Sequence, residues 1–184
     1  GTLIINGGEI SISKLSTATD GDFSYAIFSK NANASLIIKD GKISATGNLG
    51  IGVYVLKGSC MITGGTITGD VYALELGTNV TEISITGGSF EGGRSDIEAA
   101  SGVIQVLGVD KNGGKGATFP DGITVTSSTL KNILATGAGF YDASGNLLTI
   151  ADGATSITGT VTVGCANHTG GTATCMNGKI CENC

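Results

Sequence analysis

The chain has no tryptophan, one proline, one arginine and one histidine among its 184 residues. With only four Tyr and five Phe, a core must be built from Ile, Leu and Val. A single Pro beside 32 Gly excludes a collagen-like repeat and a Pro-rich linker. The lone Arg94 and a net charge of −5 leave no basic patch, so nucleic acid is not an expected partner. No apolar run reaches the roughly 20 residues of a membrane-spanning helix, so membrane insertion is not expected either. The one histidine, His168, lies near the end of the chain. That leaves no Ser-His-Asp or Cys-His constellation in the body. Charged residues are few, at 14%, against 40% apolar, the balance of a chain with many short buried strands and Gly/Thr/Ser turns.

What is present is a repeated phrase of apolar residues, a Gly-containing pair, and further apolar residues. It reads LIINGGEISI from Leu3, LIIKDGKISA from Leu36, CMITGGTITG from Cys60 and ISITGGSFEG from Ile83. Stacked without gaps, the copies give three apolar columns. The first holds Leu3, Leu36, Cys60 and Ile83, the second Ile5, Ile38, Ile62 and Ile85, and the third Ile10, Ile43, Ile67 and Phe90. The first two columns stand two residues apart, the strand period that sends both side chains to one face. The Gly-Gly or Asp-Gly pair then turns the backbone where a side chain would hinder it. Successive copies begin 33, 24 and 23 residues apart, the spacing of stacked supersecondary repeats.

A second strand family precedes three of these copies: Tyr25–Phe28, Gly52–Leu56 and Val71–Leu76. Three short strands per coil, with no amphipathic helix between them, predict an all-β, single-stranded right-handed parallel β-helix. Each coil buries its apolar face only by stacking on the next. An antiparallel β-sandwich also alternates short strands with turns, but does not require in-register columns at one coil spacing. The segment GGRSDIEAASG is expected to be an exposed excursion loop before a strand Val103–Val106. Degraded fifth and sixth copies are expected at Ala117–Ile123 and Leu148–Gly153, with Phe119 and Ile150 in the second column. The β-helix thus spans residues 1–163 in about five or six coils. Cys60, in a column of Leu and Ile, is expected to be a buried unpaired thiol. The chain begins inside a strand phrase, so it is expected to be a piece of a longer protein.

Residues 164–184 differ in composition, carrying four of the five Cys and the only His. The pattern is Cys165-x2-His168-x6-Cys175-x5-Cys181-x2-Cys184. Ligand pairs with two residues between them suit tetrahedral zinc, because a tight turn brings both to one side of the metal. Cys181 and Cys184 form such a knuckle, with two further ligands among Cys165, His168 and Cys175. The other reading is a disulfide staple in an oxidising medium. A site this small is structural rather than catalytic, since no ligand position is left open. No cofactor is expected in the β-helix itself.

The run HTGGTATC with its following Cys-x-x-Cys is similar to short Cys-rich repeats of long surface proteins of Gram-positive anaerobic bacteria. That resemblance covers residues 168–184 and implies His168, Cys175, Cys181 and Cys184 as the ligand set for a structural zinc, with Cys165 as the spare. The body resembles the broad pectin-lyase-like β-helix class through its coil periodicity.

The class resemblance implies an enzyme reading, because such lyases pair an Arg or Lys base with carboxylates. Arg94, Asp96 and Glu98 alternate and would share one face of a strand, though an exposed polar loop explains them more simply. Asp20-Gly-Asp22 resembles half a Ca²⁺ loop, but Asp-Gly pairs mostly make turns. Asp70, Glu75, Glu91 and Asp110 are scattered, with no spacing that requires them to meet. A Thr row that would bind ice is broken, because Thr63, Thr86, Thr66 and Ser89 are matched by Asn6, Lys39, Glu9 and Lys42. The sequons at Asn33, Asn79 and Asn167 matter only in a glycosylating host.

The expectation is therefore a non-catalytic rigid module of a secreted or cell-surface bacterial protein. Its role would be adhesion or glycan contact, with a carbohydrate or a host or cell-wall component as partner. Outward residues near Tyr54, Tyr72 and Glu75 are the expected glycan contacts, although core packing explains those tyrosines as well. The alternative is a fragment of a polysaccharide lyase or hydrolase using Arg94, Asp96 and Glu98.

Overall fold

The computed structural model describes residues 1–14, 22–47, 49–111 and 114–166. In chain order the elements are β1 (Thr2–Ser13), β2 (Ser24–Ser29), β3 (Ser35–Thr46), β4 (Gly50–Ile62), β5 (Thr66–Gly69), β6 (Tyr72–Ile85), β7 (Ser89–Gly92), β8 (Ser95–Ala99), β9 (Lys115–Phe119), β10 (Gly122–Thr126), α1 (Leu130–Ile133), β11 (Ala138–Asp142), β12 (Ser156–Thr158) and β13 (Val161–Cys165). The strands belong to one hydrogen-bonded sheet that winds into a β-solenoid of about four turns. Strands β1 to β10 stack in parallel on their neighbours from the next coil.

The phrase copies stack without gaps. Leu3 pairs with Leu36, Leu36 with Cys60 and Cys60 with Ile83. Ile5, Ile38, Ile62 and Ile85 form the next ladder, and Ile10, Ile43, Ile67 and Phe90 the third. Ile38, Ile62, Ile85, Ile43, Ile67 and Phe90 are completely buried. At about 25 cal/mol per Å² of apolar surface removed from water, such columns dominate the favourable free energy. The turn between the second and third columns requires glycine: Gly8, Gly41, Gly65 and Gly88 all have φ between 86° and 110°. The turns also press together, since a Cβ on Gly65 would lie 2.9 Å from the Gly41 carbonyl oxygen.

The third face is built from β2, the first half of β4, the first half of β6, β8 and β10. Its inward ladder is Ile27, Val53, Leu74, Ile97 and Val125. A corner forms where β4 enters this face, and Gly52 sits there because a Cβ would meet Ile67 Cγ2 and two backbone carbonyls at 2.7–2.8 Å.

Four expectations need correction. Residues 95–99 are strand β8, stacked on β6, because Ser95, Ile97 and Ala99 are fully buried while the charged residues between them disguise the alternation. Val103–Val106 is not a strand: Gln105 has φ 55°, and the second column continues instead through Leu107 and Leu134. Phe119 is in the third column, following Phe90, because Thr118 pairs with Ser89 and the two rings stack at 5.6 Å. The segment at Leu148–Gly153 is no sixth coil. Leu147 makes only an antiparallel bridge to Tyr141, and the Leu148 N–H donates to the Phe140 carbonyl.

Beyond β10 the winding gives way to the short helix α1, N-capped by the Thr129 hydroxyl, and to antiparallel pairings of β11 with β13, β13 with β9 and β12 with β10. Hence there are about four turns, not five or six. Strand β13 runs to Cys165, two residues past the boundary read from composition.

Candidate functional site

The outer side of the third face gathers most of the chain's exposed aromatic surface. Strand alternation sets Tyr54 opposite the buried Val53 and Val55, Glu75 opposite Leu74 and Leu76, and Glu98 opposite Ile97 and Ala99. Register then aligns Phe28, Tyr54, Glu75, Glu98 and Thr126 in one outward row. Beside it, Tyr25, Ile51, Tyr72 and Ser95 form a second row. Ile51, Val71 and Tyr72 pack with Tyr25, Leu49 and Tyr54 as an apolar cluster separate from the main core.

Four rings make a continuous platform here. Phe28 and Tyr54 stack nearly parallel, 5.0 Å apart at 11°. Tyr25 lies 5.1 Å from Phe28 and 5.5 Å from Tyr54, and Phe23 extends the row at 6.5 Å from Tyr25. Phe23 and Phe28 are 43% and 44% exposed, which is costly for Phe unless the surface meets a partner.

The platform abuts two carboxyl groups. Burial pushes Glu75 up to about 7, and the adjacent Glu98 carboxylate adds to the shift. Glu98 Oε2 is enclosed and, among the described residues, accepts no hydrogen bond. Tyr25 and Tyr54 are raised first by burial and then by the charge of Glu75. Tyr72 is raised by burial and Glu98, against an opposing effect of Arg94, whose guanidinium lies 5.9 Å from the ring centroid. The expected glycan contacts Tyr54, Tyr72 and Glu75 therefore share one face, with Tyr54 and Glu75 direct register partners. Tyr72 itself is nearly buried, at 9% exposure.

Arg94, Asp96 and Glu98 are divided between two places. Asp96 is buried, and its two oxygens accept the backbone N–H groups of Gly92 (3.0 Å) and Thr124 (2.7 Å). Burial raises its pKa and those hydrogen bonds oppose the rise. It thus joins β7 to β10 and opens on a cleft of about 420 Å³ that Asp70, Glu91 and Asp121 also line. Neither Arg94 nor Glu98 lines that cleft. Asp70 is partly committed, accepting the Gly47 N–H at 2.5 Å. Asp110 is exposed ahead of β9. Among the described residues no group of three or more His, Cys, Asp or Glu is arranged to hold a metal ion.

The expected zinc ligands His168, Cys175, Cys181 and Cys184 lie outside the described residues, as does Asp20 of the Asp-Gly-Asp turn. Cys165, the spare of that set, is disulfide-bonded. Beside the third column, on β1 and β3, the broken Thr row carries an exposed ion pair, Glu9 to Lys42 at 3.7 Å. No helix among the described residues is long and apolar enough to cross a membrane.

Sequence reasoning missed three members of the site, Phe23, Tyr25 and Phe28. Phe23 and Phe28 carry no local signature, but extending the Tyr54 register back to β2 would have placed Phe28. The proximity of Glu75 and Glu98 was hidden because residues 95–99 read as a loop.

Compared with protein-family models, curated proteins and solved structures, the chain matches none.

Proposed function

We propose that this chain is a rigid, non-catalytic β-solenoid module of a secreted or cell-surface bacterial protein, contacting glycans through the outer side of its third face. The observation that carries the reading is the exposed platform of Phe23, Tyr25, Phe28 and Tyr54 beside Glu75 and Glu98. Aromatic faces pack against the apolar CH faces of sugar rings, while carboxylates accept their hydroxyl protons. A stacked sheet holds the rings in fixed register without a ligand, so little ordering entropy is lost on binding. The tail's resemblance to bacterial surface repeats supports the extracellular location. The test is a glycan array with the intact chain. Binding that disappears in Phe28→Ala/Tyr54→Ala, with the thermal transition retained, supports the reading; no binding to any glycan sinks it.

A second reading rests on the acidic cleft of Asp70, Glu91, Asp96 and Asp121. Paired carboxyl groups are the machinery of glycoside hydrolysis. Among the described residues no Arg, Lys or His lines this cleft, and Asp96 is spent on backbone hydrogen bonds. Release of reducing ends from polysaccharide, abolished by Glu91→Gln or Asp121→Asn, would favour this reading over the first.

A further inference from the structure

The carboxyl pair beside the platform narrows the class of glycan, on the premise that this face is a glycan contact. Glu75 and Glu98 are direct register partners on adjacent coils, which sets side by side two carboxyl groups that are acceptor-only once ionised. Glu98 Oε2, enclosed, has no donor among the described residues. The charged and titratable groups around the pair are Asp22, Tyr25, Tyr54, Tyr72 and Arg94. Arg94 is the single cation among them, and its guanidinium is placed over Tyr72. The surface therefore has an excess of negative charge next to electron-rich ring faces.

We infer that the platform takes a glycan bearing unsubstituted amines, its sugar rings lying on Phe28 and Tyr54 and an ammonium group seated at Glu75 and Glu98. An ammonium brings three donors and no acceptor, matching a pair that offers only acceptors. Its charge relieves the mutual repulsion of the two carboxylates, which a neutral hydroxyl does not. The adjacent Tyr and Phe faces attract the same cation. An acidic polysaccharide is disfavoured by the same field and by the net charge of −5. The elevated pKa of Glu75, at about 7, fits a carboxyl group lacking the cation that would hold it ionised.

The experiment compares chito-oligosaccharides of one length, fully N-acetylated or fully deacetylated, binding to the intact chain at pH 7 and low salt. The deacetylated oligomer is expected to bind at least about tenfold tighter, equivalent to ~1.4 kcal/mol. In Glu75→Gln/Glu98→Gln that preference should fall to about one, with binding of the acetylated oligomer retained. Equal binding of both oligomers to the unsubstituted chain overturns the amine inference and leaves the glycan reading standing. Binding of neither overturns the amine inference, while the glycan reading stands or falls with the array. An oligolysine of equal charge that binds as tightly as the amino-glycan also overturns it, because the face would then select charge rather than sugar. Loss of both oligomers in Phe28→Ala/Tyr54→Ala, with an unchanged melting curve, ties the effect to the platform.

Discussion

Glu75 sits on an outward strand position, yet burial and a neighbouring carboxylate change its chemistry. Its pKa of about 7 lies above the ordinary 4.5, so the folded chain holds this proton more tightly than the unfolded one. Both states are protonated below about 4.5, and above about 7 the folded state bears the full cost of the ionised group. Stability contributed here is thus lost as pH rises between those values. Glu75→Gln should therefore be more stable than the unsubstituted chain at pH 8, by roughly 1 kcal/mol after discounting for solvent screening of a half-exposed group. The difference should vanish at pH 4; parallel urea titrations at both pH values decide it, and a gap independent of pH would refute the assignment. Cys60 is the opposite case, a thiol in a column of aliphatic side chains, free and buried, that burial pushes up to about 12. It should resist thiol reagents at pH 8 in the native state and react once urea unfolds the chain, with peptide mapping locating the label. Cys60→Ser should cost about 1–3 kcal/mol, the penalty of burying a hydroxyl without a partner.

At the scale of elements, the two aromatic sets have different tasks. Phe119 extends the third column from β9 onto Phe90 of β7 and is completely buried. Phe28 on β2 is 44% exposed. Phe119→Ala should destabilise by about 3–5 kcal/mol through a cavity that the stacked coils cannot close. Phe28→Ala should cost under ~1 kcal/mol, and chemical denaturation of the two variants measures the contrast. Similar losses would mean that the platform is a packing element rather than a contact surface. Strand β8 shows why element type was hard to read. Its fully buried residues Ser95, Ile97 and Ala99 include only one large aliphatic, and the charged Asp96 and Glu98, with Arg94 just before the strand, mask the alternation. The strand forms because β6 offers a ready ladder and because Asp96 and Ser95 accept and donate hydrogen bonds to the backbone of the next coil, interactions that local propensity does not report.

For the whole molecule, winding converts separations of about 21 to 33 residues in sequence into direct neighbours. The outer row of the third face takes Phe28, Tyr54, Glu75 and Glu98 from four different strands. A glycan contact built this way is rigid, so the unliganded and liganded solenoid should have the same shape, with binding changing side chains only. Tyr54→Ala should weaken glycan binding by about tenfold or more, in line with ~1–2 kcal/mol for a stacking ring. Isothermal titration would measure it, and undiminished affinity in that variant would remove the platform from the contact.

By itself, the sequence determined the repeating coil and its register. Leu3, Leu36, Cys60 and Ile83, with the two isoleucine-rich columns beside them, align because strand period and Gly turns are local properties written in each copy. It also marked Cys60 as a buried thiol, and Tyr54 and Glu75 as outward candidates. Only the tertiary structure decided where the coils stop, which column Phe119 joins, and that residues 95–99 stack as a strand. Those outcomes depend on hydrogen bonds and packing between residues distant in the chain, where weak local patterns are overruled by the neighbouring coil. The meeting of Glu75 with Glu98, and of both with the four rings, belongs to that same class, since only the winding brings separate strands onto one face.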